Sequence, residues 1–441
     1  MKQFFSKLTI SVVALALLVA CAQKAPVAQS YSVPAPEDVM MYEINPRVFA
    51  PDHSFNAVAA QLDSIQALGV NVVWFMPLYV TGELKAKNSP YCIRDYRTLK
   101  SEFGTLDEFK AMVDECHSRG LSVIMDWVAN HTSWDNVWVT EHPDWYTQDE
   151  EGNIIHPAGT NWEDVADLNF DNPEMRLAMI DAMKYWVEEA GVDGFRCDAA
   201  DFVPFDFWKQ AVDSLRAMPR DLLLLAEGNR KDHFEAGFQM NYAWNFMHSM
   251  RQVFIKGEPA TRLIEADIEE YDGIPEGCVK LRFTTNHDES THLTPVGEYG
   301  GERGSMSAFV IATYLHGGAL IYSSQEVAYP DPINFFKYVP VDWTSHKGIR
   351  SEYKKLMALY NSSDAIRKGA LVTYPETDAM VFTKTSGQES YLIIASVRDK
   401  PVTVAVPQDW VGKQTSDAIT GQVITLGETR LLNPYEYLVL K

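Results

Sequence analysis

Basic residues are scarce in this sequence. It has 38 lysines and arginines against 60 aspartates and glutamates in 441 residues, a formal net charge of −22. A nucleic-acid-binding protein needs a basic patch to hold phosphates, so this balance argues against a nucleic-acid partner. The rest of the composition, 46% hydrophobic and 22% charged, is that of an ordinary globular chain. The length allows one large domain of roughly 250–350 residues and a smaller one.

Cysteine is also rare, with five residues in the chain. The four that lie beyond the N-terminal leader form no CxxC pair and show no spacing typical of metal ligands; they are Cys92, Cys116, Cys197 and Cys278. The sequence therefore argues against a cysteine-based metal or redox centre, and it assigns no disulfide. We find no tandem repeat.

The N-terminus carries a targeting segment. Lys2 and Lys7 precede a nearly continuous apolar run, Leu8–Ala20, which is too short to cross a bilayer and is typical of a signal peptide over residues 1–20. The run ends in Leu-Val-Ala before Cys21, which resembles the cleavage box of bacterial lipoproteins. The resemblance implies cleavage before Cys21 and lipidation of its thiol and new amino group. The alternative is an ordinary secretory signal.

Residues 21–37, rich in Ala, Pro, Ser, Gln and Val, predict a flexible tether. Together with the lipid this predicts a protein anchored in the cell envelope. Ala22 is not the aspartate that favours retention in the inner membrane of some Gram-negative bacteria. We therefore expect the outer membrane, on its periplasmic or its surface face.

Strand-like and helix-like stretches alternate between residues 39 and 360. Eight candidate strands are Val39–Asn45, Val70–Met76, Leu121–Trp127, Gly194–Asp198, Leu222–Glu227, Gln239–Asn241, Lys280–Asn286 and Ala319–Ser323. Amphipathic stretches between them predict helices, for example Ala57–Leu68, Leu106–Arg119, Pro173–Ala190 and Phe205–Met218. These alternations predict an α/β protein with a (β/α)8 TIM barrel over residues 38–362, rather than a doubly wound sheet.

Two segments depart from this alternation. Residues 131–167 are too long for a plain loop and predict a short inserted subdomain after strand 3. Most of its large aromatic residues are expected to form its core and one or two to line the cleft; they are Trp134, Trp138, Trp145, Tyr146 and Trp162. Residues 363–441 carry short strands separated by Gly, Pro, Asn and Asp, which predict a C-terminal all-β sandwich domain.

Three carboxylates each close a segment that reads as a buried strand: Asp198, Glu227 and Asp288. An ionisable group at the end of an apolar run is costly unless something pairs with it or uses it. Parallel barrel strands deliver their C-terminal residues to one common face. The pattern therefore predicts a single acidic pocket, and carboxylate pairs that flank a scissile bond are typical of glycoside hydrolysis.

Neighbouring residues indicate roles for these acids. Arg196 lies two residues before Asp198, on the same face of the strand, where its charge would hold that carboxylate ionised as a nucleophile requires. Five apolar residues precede Glu227 and would raise its pKa toward that of a general acid. His287 and Asp288 are placed to bind sugar hydroxyls and offset positive charge in the transition state. A surface position or an ion pair would explain one such acid without any function. Three acids at aligned strand ends instead indicate an active site.

Seven short segments then stand out in order along the mature chain: Met41–Phe49 (MYEINPRVF), Asp126–His131 (DWVANH), Ala166–Asn169 (ADLN), Gly194–Asp198 (GFRCD), Glu227 with its apolar run, Asn286–Asp288 (NHD) and Asn433–Tyr437 (NPYEY). As an ordered set they resemble the α-amylase superfamily of glycoside hydrolases, in a form carried by a bacterial lipoprotein. The resemblance implies Asp198 as nucleophile, Glu227 as acid/base and Asp288 as transition-state stabiliser. It also implies contacts to the nucleophile or the bound sugar, made by Tyr91, His131, Arg196 and His287. Asp126 matches a mainly structural acid.

The resemblance further implies one structural Ca2+, with Asn130 and Asp167 as oxygen ligands. The family's usual amylase has a histidine four residues after the nucleophile, where this chain has Phe202, although a backbone carbonyl ligand would survive that change. The loop at residues 50–55 also lacks the cation-binding residues of some relatives. The alternative is an Asn–Asp hydrogen-bond network without an ion.

We predict from this a retaining hydrolase of α-1,4-linked starch-like glucans or maltooligosaccharides that forms a covalent glycosyl-enzyme. A transglycosylase or isomerase would use the same carboxylates. An enzyme for α-1,6 bonds or trehalose also stays open, because Asn169 and the pair Ala199-Ala200 fall outside the plainest amylase pattern. A non-catalytic glycan-binding lipoprotein would have lost at least one catalytic carboxylate, and all three are present.

Overall fold

The computed structural model describes residues 31–441, so the predicted signal peptide and the lipid site at Cys21 lie outside the described residues. Eight parallel strands close into a barrel in which each strand pairs with the next along the chain and the last pairs with the first. They are Met40–Ile44, Val72–Phe75, Ser122–Trp127, Gly194–Cys197, Leu223–Ala226, Met240–Tyr242, Val279–Arg282 and Gly318–Tyr322. The predicted TIM barrel is confirmed, and every predicted strand overlaps an observed one.

The strands are buried on both faces, which explains their nearly continuous apolar sequences. Inward-facing side chains such as Met41, Trp74 and Leu225 fill the barrel. Outward-facing side chains such as Val73 and Leu224 pack against the helices. The barrel is therefore a packed core, and a binding site can form only at its ends.

Helices surround the barrel. The longer ones are Leu106–Ser118, Pro173–Glu189, Phe205–Arg216, Trp244–Lys256, Thr261–Tyr271, Gly301–Leu315 and Lys347–Ser362, and the shorter ones are Ser54–Ala59, Leu62–Gln66, Val137–Glu141, Asp232–Ala236, Pro295–Glu298 and Asp364–Lys368. Thr105 and Glu108 form a capping box at the start of the first long helix. The predicted helix Ala57–Leu68 is divided in two, and each half buries its own apolar residues.

The inserted segment is closed by two antiparallel strands, His131–Ser133 and Val165–Asp167. Its aromatic residues divide, as expected, between its core and the pocket. Trp145 and Tyr146 are buried, whereas Trp162 is half-buried and lines the pocket described below. Another hairpin, Tyr79–Thr81 with Ile93–Leu99, carries a connection that reaches the same pocket.

The C-terminal region is all-β. Its main antiparallel sheet contains Ala370–Tyr374, Ala379–Ser386, Glu389–Ser396 and Tyr437–Leu440. Two further strand pairs are Val402–Ala405 with Thr429–Leu432 and Gln414–Ser416 with Val423–Thr425. Apolar side chains of the main sheet and of these pairs share one core. The strands missed from the sequence, such as Ala370–Tyr374, are short or largely exposed, so they carry little apolar signal.

The described part of the predicted tether is docked on the barrel, because it has partners at the N-terminal ends of the strands. The Tyr31 ring stacks on His117, with ring centroids 4.1 Å apart. Val33 packs against the barrel interior cluster. Directly after the tether, Asp38 pairs with Arg367 at 3.0 Å and with Lys368 at 2.9 Å. Among the described residues, no helix has the length and apolarity needed to span a membrane.

Candidate active site

Three barrel strands bring Asp198, Glu227 and Asp288 to one end of the barrel. Asp198 and Glu227 directly follow the fourth and fifth strands, and Asp288 lies beyond the end of the seventh. The backbone N–H of Asp198 donates to the Trp127 carbonyl at 2.8 Å, and that of Glu227 donates to the Cys197 carbonyl at 2.9 Å. The strand ladder thus fixes both backbones. All three carboxylates line one pocket of about 290 Å³.

The buried guanidinium of Arg196 lies between the acids. Its Nη1 is 2.9 Å from Asp198 Oδ1 and 2.9 Å from Asp126 Oδ1, and its Nη2 is 2.7 Å from Glu227 Oε1. Its Nε donates to the Tyr242 hydroxyl at 3.1 Å. One cation therefore faces three carboxylates. This excess of negative charge favours protonation of one of them.

Glu227 is the acid best placed to hold that proton. Burial raises its pKa to about 7; the Arg196 charge opposes this shift, and the charges of Asp198 and Asp288 add to it. A carboxyl group with this pKa is about half protonated at neutral pH, which suits a general acid.

Unlike those of Glu227, the neighbours of Asp198 act to lower its pKa. Burial raises its pKa, but the Arg196 charge and hydrogen bond and a hydrogen bond with Glu227 act against burial. These two neighbours favour the ionised form that a nucleophile requires. Both carboxyl groups contact the one Arg196 guanidinium, so Asp198 and Glu227 are neighbours in the pocket.

The turn after Asp198 holds the Glu227 side chain and backbone in place. Ala199 adopts a left-handed conformation with φ of 44°, which is unfavourable for a residue with a Cβ atom and costs on the order of 1–3 kcal/mol. In this conformation its N–H donates to Glu227 Oε2 at 2.7 Å. The next N–H, of Ala200, donates to the Glu227 carbonyl at 2.9 Å. The strained backbone of Ala199 therefore lies between Asp198 and Glu227.

A hydrogen-bonded chain that runs from the half-buried Tyr91 to the buried Glu43 forms one wall of the pocket. The Tyr91 hydroxyl lies 2.6 Å from His287 Nε2, and the two rings stack with centroids 5.4 Å apart. On its other side, His287 Nδ1 lies 2.5 Å from Oε1 of the fully buried Glu43. Because both ring nitrogens have partners, the imidazole is held in one orientation beside Asp288, whose Oδ2 is 3.4 Å away.

Asp126 lies beneath this wall. Its Oδ2 accepts hydrogen bonds at 3.2 Å from Trp74 Nε1 and from the Tyr91 hydroxyl. Its other oxygen contacts Arg196. It is fully buried and is not among the pocket-lining residues, so its contacts support the site from below.

His131 also lines the pocket, where its ring centroid lies 5.7 Å from that of Trp162. Burial lowers its pKa to about 4, so the ring is neutral at physiological pH. A neutral imidazole can donate one hydrogen bond and accept another, as recognition of a sugar hydroxyl requires.

The two predicted calcium ligands are close in the fold, since Asp167 pairs with His131, the residue next to Asn130, in the antiparallel hairpin. Burial raises the pKa of the Asp167 carboxyl. Among residues 31–441, however, no group of three or more histidine, cysteine, aspartate or glutamate side chains is placed to hold a metal ion. Two side-chain ligands fall short of the six to eight oxygens that Ca2+ takes, so calcium stays a prediction and no chemical step depends on it.

Several contributors were not predicted from the sequence. Glu43 and Tyr242 orient His287 and Arg196, and a charged or hydroxyl residue inside an otherwise apolar strand is the signal that could have identified them. Phe335 and Phe336 form part of the pocket wall. They come from the long connection after the eighth strand, and their sequence gives no signal for this position.

Known proteins are similar to this chain over most of its length. The family model "Alpha amylase, catalytic domain" matches residues 54–371. The alpha-amylase MalA of Haloarcula japonica is 28% identical over 414 residues, which are 89% of this chain and 60% of that protein. Neopullulanase 2 of Thermoactinomyces vulgaris is 25% identical over 418 residues, 87% of this chain and 70% of that protein. The chain thus spans 60% to 70% of the length of these relatives.

Solved structures agree with the fold. A maltogenic alpha-amylase from Thermotoga neapolitana is 26% identical and superposes with a TM-score of 0.83, covering 92% of this chain and 99% of that one. An alpha-amylase from Lactobacillus plantarum is 25% identical with a TM-score of 0.81, covering 92% and 98%. The similarity therefore extends over the barrel and the C-terminal β region together.

Proposed function

The chain belongs to the α-amylase family of glycoside hydrolases, and from this we propose that it is a retaining hydrolase of α-1,4-glucosidic bonds in starch-like glucans or maltooligosaccharides. One observation supports this proposal most: a single buried guanidinium contacts both Asp198 and Glu227, whose pKa burial raises to about 7, in one pocket. The relatives named as α-amylases support the choice of linkage.

The reaction has two steps. In the first, the Asp198 carboxylate attacks the anomeric carbon, and the bond from that carbon to the leaving sugar breaks as Glu227 gives its proton to the leaving oxygen. In the second, the Glu227 carboxylate takes a proton from water. The water oxygen bonds to the anomeric carbon as the bond to Asp198 breaks, so the product keeps the α configuration.

The other residues act on the sugar at the cleavage point. Tyr91 offers a ring held by His287, and His287 and Asp288 are placed beside the charge that develops on the sugar ring. These groups are already positioned by buried partners, so little reorganisation accompanies the reaction, which is the condition for electrostatic stabilisation of a transition state.

The test is the anomeric form and size of the products from maltoheptaose, followed by proton NMR during the first turnovers. We expect shorter oligosaccharides that appear first as α-anomers and equilibrate later. First products in the β form would contradict the retaining assignment. Products longer than the substrate or with new linkages would favour the transglycosylase or isomerase alternative, and binding without turnover would favour the glycan-binding one.

We also propose that a lipid on Cys21 anchors the chain to the outer membrane. The chain enters the described structure at Tyr31, at the N-terminal ends of barrel strands, whereas Asp198 and Glu227 lie at the C-terminal ends. An anchor at this end would leave the cleft facing away from the lipid. After membrane fractionation, we expect the wild type in the membrane fraction and the Cys21→Ser variant in the soluble fraction, with equal specific activity. A wild type found in the soluble fraction would contradict the anchor.

A further inference from the structure

A carboxylate outside the pocket connects the turn after the nucleophile with the turn after the general acid. Asp201 lies in the short 3-10 helix that follows the fourth barrel strand, and it does not line the pocket. Its Oδ2 accepts a hydrogen bond from the backbone N–H of Asn229 at 3.0 Å, and its Oδ1 accepts one from the backbone N–H of Arg230 at 3.2 Å. These two residues lie two and three positions beyond Glu227. The Asp201 side chain therefore holds the turn that begins with the general acid.

The turn after the acid also bonds back to the helix of Asp201. Arg230 Nη1 donates to the Asp201 carbonyl at 2.9 Å and to the Val203 carbonyl at 3.1 Å. Arg230 Nη2 lies 2.7 Å from Asp232 Oδ2, which fixes the direction of the guanidinium. The other titratable group that faces the Asp201 carboxylate is the buried His233, whose Nε2 is 3.5 Å away. Burial lowers the pKa of His233, so its ring is neutral at pH 7 and Arg230 is the cation that binds this helix.

The residue between Glu227 and these contacts is a glycine, and the approach of Asp201 requires it. A Cβ atom at position 228 would lie 2.2 Å from Asp201 Oδ1, well inside van der Waals contact. On the other side of the turn, the Gly228 carbonyl accepts a hydrogen bond at 3.2 Å from the N–H of Tyr242 in the sixth barrel strand. The backbone after the general acid is thus held between Asp201 and the sixth strand.

The nucleophile is held by other groups. The N–H of Asp198 donates to the Trp127 carbonyl within the strand ladder, and its carboxylate contacts Arg196. Neither contact involves the Asp201 side chain. Loss of that side chain should therefore displace Glu227 and leave Asp198 in place.

We propose that Asp201 is a positioning residue, which holds Glu227 at the distance from the glycosidic oxygen that proton transfer requires. The inference rests on the proposed function. In the first step, the Glu227 proton moves to the leaving oxygen as the bond from that oxygen to the anomeric carbon breaks. In the second step, the Glu227 carboxylate takes a proton from water. Both transfers need a separation of about 2.6–3.2 Å between donor and acceptor atoms, so a displacement of about 1 Å is enough to slow them.

The experiment compares wild type, Asp201→Ala and Asp201→Asn on maltoheptaose and on α-maltosyl fluoride. Fluoride departs with little need of a proton, so kcat/KM for fluoride release measures attack by Asp198 without the acid. An asparagine keeps one acceptor oxygen and can retain one of the two backbone hydrogen bonds. The matched control is Asp206→Ala, which removes an exposed carboxylate paired with Arg176 at the start of the next helix.

For Asp201→Ala we expect kcat on maltoheptaose to fall about ten- to a hundredfold, because the acid is displaced. The KM for maltoheptaose should stay within about twofold of the wild type, because Asp201 does not line the pocket. The kcat/KM for fluoride release should also stay within about twofold, which shows that the chain is folded and the nucleophile intact. Asp201→Asn should give a kcat between those of the alanine variant and the wild type, and Asp206→Ala should match the wild type.

An unchanged kcat in Asp201→Ala, an equal loss on both substrates, or the same loss in Asp206→Ala would overturn the positioning role. If the alanine variant is insoluble, the asparagine variant decides: a fall in kcat on maltoheptaose alone supports the role, and no fall or an equal fall on both substrates overturns it. A wild type that cleaves neither substrate would overturn the proposed function and this inference with it.

Discussion

The variant Asp198→Asn is expected to lose hydrolysis of maltoheptaose by about 10⁴-fold or more, the scale on which removal of a covalent nucleophile acts. An amide cannot form the covalent glycosyl-enzyme, so a substrate with a better leaving group, such as fluoride, cannot restore the activity of this variant. Turnover of α-maltosyl fluoride should therefore fall to a similar extent. The measurement is kcat/KM for both substrates.

Loss of folding would give the same kinetic result, so stability has to be measured beside activity. Asp198 is one of three buried carboxylates around Arg196, and a neutral amide removes part of their mutual repulsion. We expect a Tm equal to or above that of the wild type, because strained and like-charged active sites usually cost stability. The matched control is Asp213→Asn, an exposed residue paired with Lys209, which should change neither property. A variant that keeps more than about a hundredth of the maltoheptaose rate would exclude Asp198 as the nucleophile.

The barrel could be predicted from the sequence because each of its strands is buried on both faces. Segments such as Leu222–Glu227 have a length and apolarity that few other structures accommodate. The same property identified the site: a carboxylate at the end of such a segment, as in Asp198 and Glu227, has no structural reason to be there. The closed parallel barrel therefore accounts both for the hydrophobic pattern of the strands and for the position of the active site at their ends.

The residues that orient the site could not be derived in this way. Glu43 lies in the first barrel strand and His287 beyond the seventh, and they meet only because the barrel closes. Phe335 reaches Tyr91 from the long connection after the eighth barrel strand. Such contacts depend on loop conformations that follow from tertiary packing, and local periodicity carries no information about them.

Substitution of Glu227 is expected to cause the second large loss of activity. This loss should depend on the leaving group of the substrate, and the activity of the wild type should depend on the protonation of Glu227. The acid must be protonated for the first step, and its pKa is about 7, so kcat/KM for maltoheptaose should fall as pH rises through about 7. The nucleophile Asp198 must be ionised, so the rate should also fall in acid, and the profile is bell-shaped. The variant Glu227→Gln has no proton to give. For this variant we expect a loss of about 10²–10⁴-fold on maltoheptaose.

The matched substrate separates proton donation from folding and from nucleophilic attack. Fluoride departs with little need of a proton, so Glu227→Gln should keep most of its kcat/KM on α-maltosyl fluoride, unlike Asp198→Asn. The wild type should show no alkaline fall near pH 7 with this donor, because the protonation of Glu227 no longer limits the first step. An equal loss on both substrates would mean that Glu227 is not the acid. An alkaline limb that persists in Glu227→Gln would assign the titration near pH 7 to another group in the pocket.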